Sequence, residues 1–178
     1  MTAATFGSNL IEGGTSVYFT SPSKGKMTLT DLLSDLHGFV QQDPNCEYKM
    51  VIGTDSQRHG GLTQFVTAIV MHRVGRGARF YYTKRIGHGV YALRQRIYME
   101  TQFSLEVVEA LNAHGLSERF NGLPVEIHID VGQDGETRIL IQEVVGWVTS
   151  VGYTAKIKPF AFGASAVADR FSKKHVSG

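Results

Sequence analysis

The sequence is poor in the features that mark secreted, membrane-spanning or disulfide-stabilised proteins. Its single cysteine, Cys46, excludes an internal disulfide framework and a zinc site built from several thiolates. The longest predominantly apolar run, residues 65–71, is too short to span a bilayer. The first residues also lack the basic and apolar segments of a secretion signal. We therefore expect a folded protein in the reducing cytoplasm with no membrane partner.

Several common catalytic motifs are also missing from the sequence. It has no Walker A loop, no HExxH helix, no paired CxxC and no GxSxG elbow. These absences argue against a P-loop nucleotidase, a zinc peptidase of that type and a serine hydrolase of the elbow type. With 42% apolar and 19% charged residues, the chain still has the composition of a globular domain.

Charge is distributed unevenly along the chain. Residues 48–99 carry nine basic side chains and one acidic side chain, a net charge of +8. Residues 1–47 carry two basic and five acidic side chains, and residues 100–178 carry seven and ten, so each flank has a net charge of −3. The basic middle is either a set of solvated strand edges or a phosphate-binding surface next to an acidic site.

Hydrophobic periodicity predicts an α/β fold. Residues 1–25, rich in Gly, Ser and Thr, are predicted to be a flexible lead-in, and residues 26–178 a single domain. A capping box at Thr28 and Asp31 begins a helix over 28–42, whose apolar stripe packs on the domain or on a second subunit of a homo-oligomer.

The remaining elements alternate in a recognisable order. The patterns predict three strands, a helix, a strand, a helix, a strand and a final helix, over residues 48–55, 62–74, 78–86, 90–114, 124–130, 134–151, 153–158 and 163–175. This βββ-α-β-α-β-α order is the ribonuclease H-like one. It predicts a mixed five-stranded sheet with helices on both faces, preceded by an extra N-terminal helix.

Two aspartates end predicted apolar strands. Asp55 closes MVIGTD and Asp130 closes VEIHID. Because ends of neighbouring strands meet at one rim of a sheet, both carboxylates are candidates for a shared site. The alternative is that each is a turn-forming aspartate after its strand. His128, on the same strand face as Asp130, is either a metal ligand, a proton shuttle or a hydrogen-bonded structural histidine.

Two further acids lie on predicted helices. On a helical wheel Glu100 falls inside the apolar stripe, where an unpaired carboxylate costs several kcal/mol. The competing interpretation is a structural salt bridge with Arg94 or Arg96. Asp169 lies near the start of the last helix and is either a fourth site residue or a solvated helical acid.

Four converging carboxylates predict a divalent-cation site. Mg²⁺ or Mn²⁺, as one or two ions, takes such oxygen ligands and supports phosphoryl displacement. The candidate ligands and catalytic residues are Asp55, Glu100, Asp130 and Asp169. The basic side chains expected to hold a nucleic acid are Arg58, Arg94, Arg96, Arg138, Lys158, Arg170, Lys173 and Lys174.

A family resemblance supports this interpretation. The stretches IGTDSQ at 52–57, HIDVG at 128–132, Thr137-Arg138, and KIKP at 156–159 followed by Ala164-Ser165 resemble the bacterial YkuK-like family of ribonuclease H-like proteins. The resemblance covers about residues 19–174. It implies a ribonuclease H-like fold and a metal-dependent nuclease role, with Asp55, Glu100, Asp130 and Asp169 as the acids of the first strand, first helix, fourth strand and last helix.

Three functional hypotheses follow. The first is a Mg²⁺- or Mn²⁺-dependent nuclease acting on RNA, an RNA–DNA hybrid or structured DNA. The second is a catalytically inactive nucleic-acid-binding or assembly protein, whose binding would weaken with salt and need no metal. The third, suggested by the GTDS sequence at 53–56, is a phosphate-handling relative of actin and sugar kinases, which at this length would need a partner domain.

Overall fold

The chain folds into one mixed sheet covered by helices. The computed structural model describes residues 17–132, 137–161 and 163–172. The elements within these ranges are β1 (Phe19–Ser21), β2 (Gly25–Met27), α1 (Leu29–Gln41), β3 (Tyr48–His59), β4 (Leu62–Arg73), β5 (Gly77–Gly87), α2 (Leu93–Ala113), α3 (Leu116–Arg119), β6 (Val125–Ile129), α4 (Arg138–Ser150), β7 (Thr154–Ile157) and α5 (Gly163–Ser172).

The sheet has seven strands in the order β2-β1-β5-β4-β3-β6-β7. Strands β3, β4 and β5 form an antiparallel meander, and β6 and β7 continue the sheet in parallel with β3. The five strands β3 to β7 follow the order expected from the sequence. The prediction of a five-stranded sheet is nevertheless wrong, because β1 and β2 extend it beyond β5.

Strand β1 and the first residue of β2 come from residues assigned to the flexible lead-in. The predicted lead-in over 1–25 is therefore wrong for β1 and for the first residue of β2, while residues 1–16 lie outside the described part of the chain. Phe19 is fully buried in the core, and Thr20 pairs with Tyr82 of β5. These short strands owe their order to a partner about sixty residues away, which local composition does not reveal.

Strand β3 is longer than its apolar segment. It pairs with β4 without a break from Tyr48, opposite Arg73, to His59, opposite Leu62, and a turn with Gly60 at φ 62° joins the two strands. The sequence predicted that the first strand ends at Asp55, and this is wrong. Antiparallel pairing with β4 continues past Asp55 after the parallel neighbour β6 has ended.

Helix α1 is built as its sequence pattern indicates. The hydroxyl of Thr28 accepts a hydrogen bond from the Asp31 N–H, and the Asp31 carboxylate accepts one from the Thr28 N–H. Leu32, Leu33 and Leu36 are fully buried in the larger core, between the sheet and its helices. The apolar stripe therefore packs within its own chain rather than against a second subunit.

Strand alternation assigns the two sheet faces to different helices. Ile52 of β3 belongs to the larger core, which also contains the buried residues of α2 and α4. Val51, on the opposite face, packs in a smaller core with Ala164 and Ala168 of α5. A Cβ at Gly53 would lie 3.0 Å from the Ala164 Cβ, so the absence of a side chain there lets α5 approach the sheet closely.

Candidate carboxylate site

Asp55 and Asp130 both lie just beyond the point where the pairing of β3 with β6 ends. Parallel pairing of β3 and β6 extends to Gly53 opposite His128. Asp55 lies two residues beyond Gly53 in β3, and Asp130 lies two residues beyond His128, directly after the end of β6. Adjacent strands are about 4.8 Å apart, so the two residues are neighbours. Asp130 is at a strand end as expected, whereas Asp55 lies inside a strand.

Glu100 approaches these residues from the α2 face of the sheet. Its side chain is only 9% exposed, as the helical wheel predicted. Its Oε1 accepts a hydrogen bond of 2.5 Å from the hydroxyl of Ser56, the residue after Asp55. The first residue of the predicted apolar stripe, Leu93, is by contrast about half exposed, because α2 begins only there.

The environment of Glu100 favours its neutral form. Burial is the main cause that raises the pKa of its carboxyl group from 4.5 to about 7. The Ser56 hydrogen bond and the Arg96 charge lower this pKa, whereas the charges of Asp55 and Asp130 raise it further. Both aspartates therefore lie close enough to Glu100 for their charges to act on its carboxyl group.

The proposed structural salt bridge of Glu100 takes a different form in the structure. Arg94 pairs with Glu143 of α4 at 2.9 Å instead. Arg96 donates a hydrogen bond of 3.3 Å to the Ser56 hydroxyl, which in turn donates to Glu100. Arg96 therefore supports Glu100 through Ser56 and through its charge, but burial still outweighs both effects on the pKa.

Asp130 has a lysine as its cationic neighbour. The Lys158 Nζ lies 2.7 Å from Asp130 Oδ1, and the hydrogen bond and charge of Asp130, with a smaller contribution from Asp55, raise the pKa of the Lys158 ammonium. The Lys158 N–H also donates to the Val131 carbonyl at 3.3 Å, which ties the segment after β7 to the segment after β6. The position next to Asp130 is thus one that suits a positive charge.

Asp169 comes from the other side of the sheet. It lies on α5, one residue after the buried Ala168, and is itself partly buried. By strand alternation Asp55 belongs to the α5 face with Val51 and Gly53. The sheet therefore separates the helix that carries Glu100 from the helix that carries Asp169, with Asp55 and Asp130 on the strands between them.

His128 lies on the α5 face of the sheet, opposite Gly53, and its imidazole has a hydrogen-bond partner. Its Nε2 is 2.9 Å from Glu126 Oε2, and the imidazole is 95% buried. Burial lowers the pKa of His128, although the hydrogen bond and charge of Glu126 act in the opposite direction. Among the alternatives, this contact agrees with a hydrogen-bonded structural histidine.

The described carboxylates do not yet form a closed metal-binding group. Within residues 17–132, 137–161 and 163–172, no three His, Cys, Asp or Glu side chains are arranged so that they could hold one ion. The donor chemistry nevertheless fits a hard divalent cation, since three carboxyl groups share one region and a cationic ammonium already lies beside Asp130.

Most of the predicted basic residues lie on elements that border the carboxylates. Arg58 is three residues beyond Asp55 in β3 and donates to the Tyr91 carbonyl before α2. Arg138 is exposed at the start of α4. Arg170 lies elsewhere, over the ring of Phe171, which stacks on Tyr82 of β5. Lys173 and Lys174 lie outside the described residues.

Sequence reasoning missed a set of hydroxyl groups beneath Glu100. Besides Ser56, the Thr54 hydroxyl lies 2.8 Å from those of Thr67 and Ser104. The available signal was period-two alternation, which puts Ile52, Thr54 and Ser56 on one face where an apolar core is expected. The same pattern could have identified Ser56 as a polar side chain on the core-facing side of its strand, which therefore needs a hydrogen-bond partner there.

Comparison with known proteins agrees with this architecture. A family model described as Ribonuclease H-like matches residues 31–173. The chain is also 38% identical over 169 residues to a Bacillus subtilis (strain 168) protein named "Uncharacterized protein YkuK", a match that covers 89% of this chain and 98% of that protein. No helix in the described ranges has the length and apolar character needed to cross a membrane. The strand order, the helix faces and these matches together show that the chain belongs to the YkuK-like group of the ribonuclease H-like family.

Proposed function

We propose that the protein hydrolyses phosphodiester bonds in nucleic acid with the help of Mg²⁺ or Mn²⁺. Asp55, Glu100 and Asp130 would hold one or two ions, and Asp169 would complete the ligand set. The observation that carries the proposal is the burial of Glu100 within the field of two other carboxyl groups. Such an arrangement costs folding free energy, and cation binding is the usual function that retains it.

The residues of the chain divide into ligands and positioning groups. Ser56 holds the Glu100 carboxyl group by its hydrogen bond, and Arg96 orients the Ser56 hydroxyl. A bound divalent cation would supply positive charge where negative charge develops on the phosphate. The ammonium of Lys158 would exchange its contact with Asp130 for a contact with a substrate phosphate.

The substrate classes that this site accommodates are RNA, an RNA–DNA hybrid and structured DNA. Arg58, Arg94, Arg96, Arg138 and Lys158 supply cationic side chains on several elements around the carboxylates. A negatively charged backbone held by these groups would bring one phosphate to the acids. The single free thiol at Cys46 is compatible with a reducing cytoplasm, where we propose that the protein acts.

The test combines calorimetry with cleavage. Mn²⁺ is titrated into the wild-type protein, Asp55→Asn and Glu118→Gln, the last neutralising an exposed glutamate on α3. Each protein is also incubated with end-labelled single-stranded RNA, an RNA–DNA hybrid and a DNA hairpin in Mg²⁺ or Mn²⁺. We expect Asp55→Asn to lose Mn²⁺ binding and cleavage with an unchanged circular dichroism spectrum, and Glu118→Gln to keep both. Full activity of Asp55→Asn would overturn the proposal.

One observation favours a second candidate function, nucleic-acid binding or assembly without chemistry. Lys158 neutralises Asp130 in the structure, which is what a site without metal would require. This candidate predicts binding that weakens steeply with salt and is the same in EDTA and in Mn²⁺. Binding of that kind, with no cleavage of any of the three substrates, would favour it over hydrolysis.

A further inference from the structure

Phe160 is an exposed aromatic side chain next to the carboxylate site. At 72% exposure it is the most exposed large apolar side chain in the described part of the chain, followed by Ile139 at 66%. A solvent-exposed phenyl ring contributes nothing to the core and leaves apolar surface in water. In proteins that bind single strands, aromatic rings exposed beside cationic groups are the platforms on which bases stack.

The backbone around Phe160 is anchored. The N–H groups of Phe160 and Ala161 both donate to the Ile157 carbonyl at the end of β7, at 2.8 and 2.9 Å. Two residues before the ring, Lys158 is held by its backbone bond to Val131 and by its ion pair with Asp130. The ring is therefore presented from a hydrogen-bonded turn that Lys158, two residues earlier, ties to Asp130 and Val131.

We infer that Phe160 stacks on an unpaired base, which narrows the proposed substrates to nucleic acid that is single-stranded where it meets this ring. The inference rests on the proposed function for the location of the substrate. The charge pattern supports this occupant over an apolar protein surface, because Lys158, two residues before the ring, offers a cation to a phosphate of the bound strand. Proteins that recognise single strands typically bind the phosphate backbone with cationic side chains and stack the bases on aromatic rings nearby.

Base pairing decides which nucleic acids can use this ring. In a duplex each base is covered above and below by its neighbours, so a phenyl ring cannot reach a base face without unstacking it. In a single strand the face of each base is available for stacking. Replacing the stacking aromatic residue by alanine weakens binding about 5- to 150-fold per stacked base. Phe160 should therefore contribute to single-strand affinity and not to duplex affinity.

The test measures binding without cleavage. Fluorescence anisotropy in EDTA gives the Kd of the full chain for a labelled single strand and for the same sequence as a duplex, each as RNA and as DNA. The variants are Phe160→Ala, Phe160→Tyr, which keeps a ring, and Ile139→Ala, which removes exposed apolar surface without removing a ring. We expect Phe160→Ala to bind the single strand at least five-fold more weakly, and the other two variants to bind it as the wild type does.

The outcomes separate this inference from the proposed hydrolysis. An unchanged single-strand Kd in Phe160→Ala, an equal loss on the duplex, an equal loss in Ile139→Ala or no nucleic-acid binding by the wild type would each overturn the inference. None of these results depends on metal or on cleavage. Ring-dependent single-strand binding in a protein that cleaves nothing in Mn²⁺ would support the inference while overturning the hydrolysis proposal. The RNA and DNA arms show which sugar the site accepts.

Discussion

Replacing Glu100 with glutamine should stabilise the protein at alkaline pH while removing the proposed Mn²⁺-dependent cleavage. Glu100 is almost completely buried, and burial is the largest cause that raises the pKa of its carboxyl group from 4.5 to about 7. Nearby Asp55 and Asp130 raise it as well, against the smaller effect of Arg96. Glutamine keeps a carbonyl oxygen for the Ser56 hydroxyl but carries no charge, so the variant removes the ionisation and little else.

The magnitude follows from the two pKa values. The unfolded chain releases the Glu100 proton near pH 4.5, whereas the folded protein retains it until about pH 7. Between these values the unfolded state binds fewer protons, so the free energy of unfolding falls as pH rises, by about 1.4 kcal/mol per pH unit and about 3 kcal/mol in all. Glu100→Gln avoids this loss, so it should equal the wild type at about pH 4 and exceed it by about 3 kcal/mol at pH 8.

Urea unfolding in EDTA, followed by the fluorescence of the single tryptophan, Trp147, measures this difference. With a typical slope of about 1–3 kcal/mol per molar urea, the midpoint of Glu100→Gln at pH 8 should lie about 1 M or more above that of the wild type. Glu118→Gln, at an exposed position, should change stability by less than about 0.5 kcal/mol at every pH. The reasoning is refuted if Glu100→Gln is no more stable than the wild type at pH 8. Loss of Mn²⁺-dependent cleavage in the stabilised variant would mark Glu100 as a residue retained for function.

Three further substitutions, one of them with a matched control, probe separate contacts. Lys158→Met removes the ammonium that competes for Asp130 and should tighten Mn²⁺ binding about two- to five-fold by calorimetry; weaker binding would mean that the lysine helps to assemble the site. Gly53→Ala should destabilise the protein by about 1–3 kcal/mol, measured by urea unfolding, because its Cβ would lie 3.0 Å from neighbouring atoms. The control Gly38→Ala has open space around it on α1 and should stabilise the protein by about 0.5–1 kcal/mol. Equal effects of the two substitutions on stability would contradict the close approach of α5 to Gly53. Asp35→Asn removes a buried carboxylate that accepts from two basic side chains and a tyrosine, and should cost about 2–3 kcal/mol at neutral pH. Although burial raises the pKa of the Asp35 carboxyl group, these partners lower that pKa overall. The stability that the ionised carboxylate adds is therefore present above its pKa in the unfolded chain, and it is lost as pH falls through its pKa in the folded protein. If Asp35→Asn still cost the same stability in acid, the ionised carboxylate would not be its cause.

Local patterns in the sequence were sufficient for several parts of the fold. Thr28 and Asp31 form the predicted capping box, and the leucines that follow at helical spacing are buried. Gly60 forms the turn between the two long strands that its position predicted. Glu100 is buried because it lies on the same helix face as Ile97 and Val108, which wheel arithmetic can show without any structure.

Parts of the candidate site depended on partners distant in sequence. Ser56 is paired with Glu100, 44 residues away, and no local pattern names that partner. Lys158 was predicted to hold nucleic acid, yet in the structure it lies against Asp130, because parallel pairing of β6 and β7 brings their following segments together. The sequence around Phe19 was predicted to be a lead-in because no local pattern shows that Thr20 of β1 pairs with Tyr82 of β5.

The sequence by itself thus determined which faces of the helices and strands are apolar, and hence the element order and the burial of Glu100. Only the tertiary structure decided that Asp55 lies inside a strand rather than at its end, and that α2 and α5 bring Glu100 and Asp169 to opposite faces of the sheet. The physical reason is that periodicity reports the local backbone geometry of one element. Strand pairing and charge contacts are interactions between elements, and they exist only once the chain has brought those elements together.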